Sequence, residues 1–210
     1  MHRKLILPAL LSAVAVAACE NGPAGIAADE GMTRAEALAL APEYDLIAGD
    51  VLDGFGFASF SVSGEGGFAA AAVSHEVDFT RTRTCPAGGS TTITGTHTAS
   101  GDREARSGTF HTEATRTDAA CALRRPGGEV VMTITGNPNI VLTADWSVTN
   151  GVPGKRTATH KGGFSWSRST GQSGVCSVDL TSTWDPATRT HTVKGTFCNH
   201  TVDVTHTRGG

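Results

Sequence analysis

The sequence lacks the short motifs by which common enzymes are recognised. It contains no Gly-x-Ser-x-Gly, Ser-x-x-Lys or His-Glu-x-x-His motif and no glycine-rich phosphate-binding loop. Aspartates within its predicted strands, such as Asp145 and Asp179, are ordinary residues for the wetted face of a sheet. We therefore expect a protein that is not an enzyme and that carries no cofactor.

The chain also lacks a strong excess of charge of either sign. Its 17 Lys and Arg residues are balanced by 20 Asp and Glu residues. The charge is unevenly spread, since residues 19–72 have a net charge of −8 and residues 73–210 a net charge of +3. Neither segment has the strongly basic surface that is typical of proteins that bind DNA or RNA. A nucleic-acid partner is therefore not expected.

The apolar run near the start of the chain is too short to cross a membrane as a helix. Residues 5–16 are apolar, whereas a helix needs about 20 such residues to span a bilayer core of about 30 Å. A positive segment, residues 2–4, precedes the run, and the small residues Ala17 and Ala18 follow it. These are the three parts of a secretory signal.

The end of this signal resembles the lipobox of bacterial lipoproteins. Val16, Ala17 and Ala18 form a small apolar triplet directly before Cys19. The resemblance implies a diacylglycerol on the Cys19 sulfur, cleavage before Cys19 and acylation of the new amino group. Two or three acyl chains make attachment to a membrane stable, because each buried methylene contributes about 0.8 kcal/mol. In Gram-negative lipoproteins, an Asp directly after the lipidated cysteine tends to mark retention in the inner membrane. This chain has Glu20 at that position, and by that analogy the outer membrane is favoured. The alternative is a plain signal peptide with a chance cysteine.

Four further cysteines are expected to form two disulfides. They are Cys85, Cys121, Cys176 and Cys198. An even number of cysteines in an exported chain is typical of a disulfide framework. The alternative, a zinc site or a redox pair, is disfavoured because no Cys-x-x-Cys spacing exists.

A predicted hairpin selects one of the three possible disulfide connectivities. Its strands cover residues 175–184 and 188–198. If the turn between them is three residues long, Cys176 lies directly opposite Cys198, where a bridge needs only small adjustments of geometry. The prediction is therefore Cys176–Cys198, which leaves Cys85 to pair with Cys121.

The chain divides into four predicted segments. They are a signal peptide (1–18), a flexible tether (19–32), a helical segment with a glycine-rich connector (33–72) and an antiparallel β domain (73–210). Thr33 and Glu36 have the spacing of a capping box, which predicts a helix over residues 34–40. Pro42 either kinks this helix or begins a second helical turn that ends near Leu52. An apolar stripe predicts that the segment packs on the β domain; it consists of Leu38, Tyr44, Ile47, Val51 and Leu52.

From residue 73 the sequence consists of short runs in which apolar and polar residues alternate. These runs are separated by Gly, Pro, Asn and Asp, which is typical of antiparallel β structure. Nine strands are predicted, near residues 75–84, 91–99, 108–117, 129–135, 139–149, 155–168, 174–184, 188–198 and 201–207. Short turns connect neighbouring strands, so the simplest topology is a meander. The predicted fold is mainly β: a curved sheet, a barrel or a sandwich with a short N-terminal helical segment packed on it.

The alternation assigns apolar side chains to one face of the sheet and Thr, Ser and charged side chains to the other. The apolar set is Phe79, Ile93, Phe110, Met132, Ile134, Ile140, Leu142, Trp146, Val148, Phe164, Trp166, Val178, Leu180, Val193, Phe197, Val202 and Val204. Arg81 and Arg83 share the parity of Phe79, and we expect them at a rim where long side chains reach water.

Several histidines and arginines share the parity of the apolar set and could line a polar interior. They are His97, His160, His191, His206, Arg81, Arg83, Arg116 and Arg156. A polar interior is typical of ligand-holding barrels. The candidate ligand-binding residues are Arg81, Arg83, Arg156, His97 and His160. The alternative is histidines near strand ends that bond to threonine hydroxyls. No His-x-His or His-x-x-x-His pair occurs, and no metal site is predicted.

Two functions remain open from the sequence. The first is a non-catalytic envelope module that binds a small or lipidic ligand, or a partner protein, inside or along the curved sheet. In that module Arg81, Arg83 or Arg156 would meet an anionic head. The second is a purely structural envelope protein with a closed core. A cavity of roughly 300 Å³ or more favours the first function, and a solidly packed interior favours the second.

Overall fold

A computed structural model of the chain describes residues 31–52, 72–102, 104–124, 130–136 and 139–207. Within these residues the fold is one antiparallel sheet of eleven strands and one helix. Cys19 and the lipobox, nearly all of the predicted tether and most of the glycine-rich connector lie outside the described residues.

The strands agree with the sequence periodicity. They are β1 (Ala72–Thr84), β2 (Ser90–Asp102), β3 (Ser107–Ala119), β4 (Cys121–Arg124), β5 (Val130–Thr135), β6 (Ile140–Thr149), β7 (Val152–Pro153), β8 (Arg156–Ser167), β9 (Ser173–Asp185), β10 (Thr190–Phe197) and β11 (His200–Thr207). All nine predicted strands are present, and β4 and β7 are additional. The mainly β fold is therefore confirmed.

The topology is a meander with one inserted hairpin. The hydrogen-bonded order is β1-β2-β3-β6-β8-β9-β10-β11, and β4 pairs with β5 beside this path. On the edge that faces away from β9, strand β8 has two partners: its residues 157–162 pair with β6 and its residues 165–167 pair with β5. Among the described residues β1 and β11 are the two ends of the path, so the sheet is open rather than closed or divided into a sandwich. We call the end with the turns before β3, β8 and β10 the upper end, and the opposite end the lower end.

The single helix, α1 (Arg34–Leu52), starts at the predicted capping box. The Thr33 amide donates to Glu36 Oε2 at 2.9 Å, and the Glu36 amide donates to Thr33 Oγ1 at 3.3 Å. Pro42 lies inside the helix, which continues through it. A separate second helical turn therefore does not begin at Pro42; one helix covers the whole segment.

The sheet curves around α1. The helix contacts β1 and β2 near one edge of the sheet and β10 and β11 near the other, so it fills the concave face. Tyr44 lies at the centre, with its ring 5.4 Å from Phe164 and 5.6 Å from Phe197. Nearer the upper end, small residues of the sheet let the helix approach closely; the cluster there includes Ala48, Ala114, Ala144 and Ala158. The predicted packing of this segment on the β domain is confirmed.

The predicted faces are confirmed as well. Of the apolar set, Phe79, Trp146 and Val204 are partly buried, and the other members are buried on the concave face. The convex face, which we call the outer face, is covered by threonines. Their hydroxyls pair across strands, for example Thr143 with Thr159 at 2.6 Å and Thr192 with Thr205 at 3.0 Å. Such pairs stabilise a solvent-facing sheet surface by a few tenths of a kcal/mol to about 1 kcal/mol each.

Both predicted disulfides are present. Cys85 is bonded to Cys121 and Cys176 to Cys198. The register that led to the second bridge was wrong. A three-residue turn between residues 184 and 188 would put Cys176 opposite Thr196 rather than Cys198, and in the structure Trp184 lies opposite His191 across a turn of four residues. The bridge still forms because Cys198 lies just beyond the end of β10, where the chain turns with a positive φ of 49°.

Candidate functional site

A groove of about 440 Å³ lies on the upper half of the outer face. It crosses β2, β3, β6 and β8, and we call it the outer groove. Five hydroxyl side chains line it: Thr98, Ser100, Thr109, Ser147 and Thr157. His111, Asp145 and Lys155 supply its charged groups. Phe110 and Trp146 complete the lining, which therefore combines hydrogen-bonding side chains with apolar surface.

The strand register sets the arrangement of the outer groove. Thr98 lies opposite His111, His111 opposite Asp145, and Asp145 opposite Thr157. These four residues form one row across four strands, at a spacing of about 4.8 Å per strand. All of their side chains project from the same face, because residues directly opposite each other in an antiparallel pair share a face.

His111 is held between two carboxylates. Its Nδ1 donates to Asp145 Oδ1 at 2.7 Å, and its Nε2 lies 3.3 Å from Glu113 Oε1. The hydrogen bond to Asp145 raises the pKa of His111 and outweighs the opposing effect of burial. A histidine with a carboxylate at each ring nitrogen favours the doubly protonated form, in which neither nitrogen can accept a proton.

The upper rim of the groove is formed by a second ion pair. Lys155 Nζ lies 3.1 Å from Asp185 Oδ2, and this contact lowers the pKa of Asp185. Both groups are near solvent, where such a pair contributes little to stability. Its role in the groove is to place an ammonium group at the edge of a row that also carries carboxylates.

The concave face contains a separate cluster of buried polar groups beneath α1. Asp45 meets two histidines of the sheet: His191 Nε2 donates to Oδ2 at 2.7 Å, and His160 Nε2 makes a close polar contact with Oδ1 at 2.7 Å. All three side chains are buried. Burial alone would raise the pKa of Asp45, but the two histidines outweigh it and hold that pKa well below its usual range. The cluster fixes the helix to β8 and β10.

A buried arginine fixes the same helix from the other side. Arg116 is fully buried and makes a two-pronged ion pair with Asp118, with Nη2 2.9 Å from Oδ1. Its Nη1 donates to the Tyr44 carbonyl at 2.7 Å, and its guanidinium lies 3.7 Å from the centre of the Tyr44 ring. Burial raises the pKa of Tyr44. The helix is therefore held by charged groups as well as by apolar packing.

The candidate ligand-binding residues from the sequence are dispersed over the sheet. His160 belongs to the Asp45 cluster, whereas His97 lies three strands away and packs against the Trp146 ring at 5.3 Å. Arg156 is partly buried at the upper end, and Arg81 and Arg83 are exposed on edge strand β1. Helix α1 occupies the interior that these residues were expected to line.

The parity predicted for His97 is confirmed. It lies on the concave face opposite Thr112, with its Nδ1 2.9 Å from the Thr112 hydroxyl. His111 has the opposite parity and lies on the outer face. Burial lowers the pKa of His97, and the charges of neighbouring basic side chains lower it further.

The sequence did not predict the contact of His111 with Asp145 in the outer groove or the buried contacts of Asp45 with two histidines. Asp145 was treated as an ordinary surface residue, and no signal linked Asp45 to the sheet. The parity of His160 and His191 indicated a polar interior, and that was the available clue. Among the described residues, no group of three or more His, Cys, Asp and Glu side chains is placed to hold a metal ion. In the same part of the chain, no helix is long and apolar enough to cross a membrane.

Comparison with known proteins does not identify a relative. No family model, no curated protein and no solved structure matches the chain.

Proposed function

We propose that this chain is a lipid-anchored protein of the bacterial cell envelope, at the outer membrane rather than the inner, that binds a small polar ligand in the outer groove without catalysing a reaction. The lipobox-like residues before Cys19 support the anchor. The two disulfides support an oxidising compartment outside the cytoplasm.

The outer groove is the observation that carries the proposal. Its volume of about 440 Å³ falls in the range of small-molecule sites. Hydroxyls, a carboxylate, an imidazole and an ammonium all face it, so a ligand that both donates and accepts hydrogen bonds would fit best. His111 is fixed by Asp145, so little side-chain freedom is lost when a ligand binds. A hydroxyl- or amine-bearing molecule, such as a short saccharide or amino sugar, has this chemistry.

The concave face supports a second candidate, the purely structural protein. Helix α1 fills that face, and Tyr44, Phe164 and Phe197 are fully buried between helix and sheet. A lipidic ligand inside the sheet would have to displace the helix and its charged contacts. We therefore place the proposed ligand on the outer face, and a closed core without any ligand is the competing reading.

The test combines native mass spectrometry with a matched pair of variants. Protein purified from its own envelope should carry a co-purifying small molecule, which is lost in Asp145→Asn. The control is Asp179→Asn, which changes an exposed outer-face aspartate paired with Lys161 at 3.7 Å, outside the groove. Thermal shifts with saccharides and amino sugars should show the same pattern. If no molecule co-purifies and no compound shifts the wild-type protein, the structural reading replaces the proposal.

A further inference from the structure

The first described residues of the chain, just before α1, are held at a fixed point of the fold, which we call the exit point. His200 Nε2 donates to the Met32 carbonyl at 2.7 Å, and Met32 is itself buried. Arg168 Nη2 lies 3.1 Å from the Glu36 carboxylate of the capping box. These residues lie just before α1, in its first turn, in the turn before β9 and at the start of β11, so the exit point lies at the lower end of the sheet.

From this exit point we infer that the lower end of the sheet faces the lipid surface and that the outer groove is held well above that surface. The inference rests on the proposed anchor at Cys19. Eleven residues separate Cys19 from Gly31. A fully extended chain of that length reaches about 40 Å, and one with random-coil statistics has an end-to-end distance of about 20 Å.

These lengths decide between the two upright orientations. Strand β8 has 12 residues, so the lower and upper ends lie about 40 Å apart. If the upper end touched the bilayer, the tether would have to be extended to its limit. With the lower end towards the bilayer, Gly31 stays well within the ordinary reach of the tether. The orientation with the lower end towards the bilayer leaves the tether far more conformational freedom, and it is therefore favoured.

The charges at the surface agree with this orientation. Arg81 and Arg83 are exposed on the lower half of β1, where they can meet anionic headgroups. The outer face, by contrast, carries the exposed carboxylates of Glu113 and Asp145. Anionic lipids therefore attract the lower half of edge strand β1.

The distance of the groove from the bilayer follows from the length of β8. Trp166 lies near the lower end of β8, and Thr157, which lines the groove, is nine residues away on the same strand. Nine residues of strand span about 30 Å. The groove therefore lies about 30 Å further from the bilayer than the lower end, where a soluble ligand can enter it freely.

Energy transfer from two labelled positions tests the orientation. Thr170→Cys at the lower end and Ala187→Cys at the upper end are both in exposed turns, and the native disulfides are buried. Each variant, acylated and full length, is labelled with a donor and reconstituted into phosphatidylethanolamine–phosphatidylglycerol vesicles with an acceptor on the headgroups. We expect clearly greater transfer from position 170 than from position 187.

The outcomes separate the orientation from the anchor. Equal transfer from the two positions, or greater transfer from position 187, in vesicle-bound protein would overturn the orientation and leave the anchor standing. A wild-type protein that binds the vesicles no better than Cys19→Ala would overturn the anchor and the inference with it. Greater transfer from position 170 that disappears in Cys19→Ala supports both.

Discussion

Replacing Asp45 with asparagine removes a buried charge that meets two histidines. The change keeps the size of the side chain and leaves His160 and His191 facing an amide in place of a carboxylate. Removing one partner from a buried charged contact costs about 3–5 kcal/mol. A domain of this size is stable by about 5–15 kcal/mol, so Asp45→Asn should lose a large fraction of the free energy of unfolding.

Urea denaturation followed by tryptophan fluorescence, with both disulfides intact, measures this loss. The matched control is Asp179→Asn on the outer face, whose exposed contact with Lys161 at 3.7 Å should contribute 0–1 kcal/mol. A loss below about 1 kcal/mol for Asp45→Asn, equal to that of the control, would refute the view that charge holds the helix in the sheet.

The pH dependence gives a second check on Asp45. Its pKa is lowered in the folded protein, whereas an unfolded aspartate titrates near pH 3.9. A lowered folded-state pKa contributes stability that is present above the unfolded value and is lost as the pH falls below it. The difference in stability between wild type and Asp45→Asn should therefore be large at neutral pH and shrink below about pH 4. A difference that grew in acid would contradict the assignment.

Three further predictions concern the other features of the fold. Arg116→Met should destabilise by about 3–5 kcal/mol in urea denaturation, because it leaves Asp118 buried without its partner; adding Asp118→Leu should recover much of the loss, and an absence of recovery would argue against the ion pair. Asp145→Asn should lower the pKa of His111 in an NMR titration, because it removes the carboxylate that raises it; an unchanged pKa would refute the contact. Cys176→Ser should lower stability by about 3 kcal/mol in the same denaturation assay, from the 22-residue separation that the bridge closes, and a loss below about 1 kcal/mol would contradict that role.

Strand positions and faces could be predicted because both depend on local patterns. Alternation with a period of two gave the concave face, on which His97 lies opposite Thr112. Strands β4 and β7 were missed because β4 has four residues and β7 has two, which is too few to show an alternation of apolar and polar side chains. The double pairing of β8 was missed for a different reason: it depends on how far the β4–β5 hairpin is inserted, which no local pattern specifies.

The sites depend on contacts between distant parts of the chain. His111 and Asp145 are 34 residues apart, and Asp45 and His191 are 146 apart. The first pair depends on the register across the β4–β5 insertion, and the second on how a separate helix docks into the sheet. The disulfides were predictable by contrast, since an even number of cysteines leaves few connectivities. The error in the hairpin register did not change the pairing.

The docking of α1 has a consequence for the order in which the domain can be completed. The helix is the first described element of the chain, yet His191 and His200, which hold it, lie on the last two strands. A chain that emerges from its N-terminus therefore presents a helix whose binding surface does not yet exist. Contacts of such long sequence separation form slowly, because the intervening loop must be closed before they stabilise anything. We expect folding in milliseconds to seconds, with closure around the helix as a late step, after the final strand is in place.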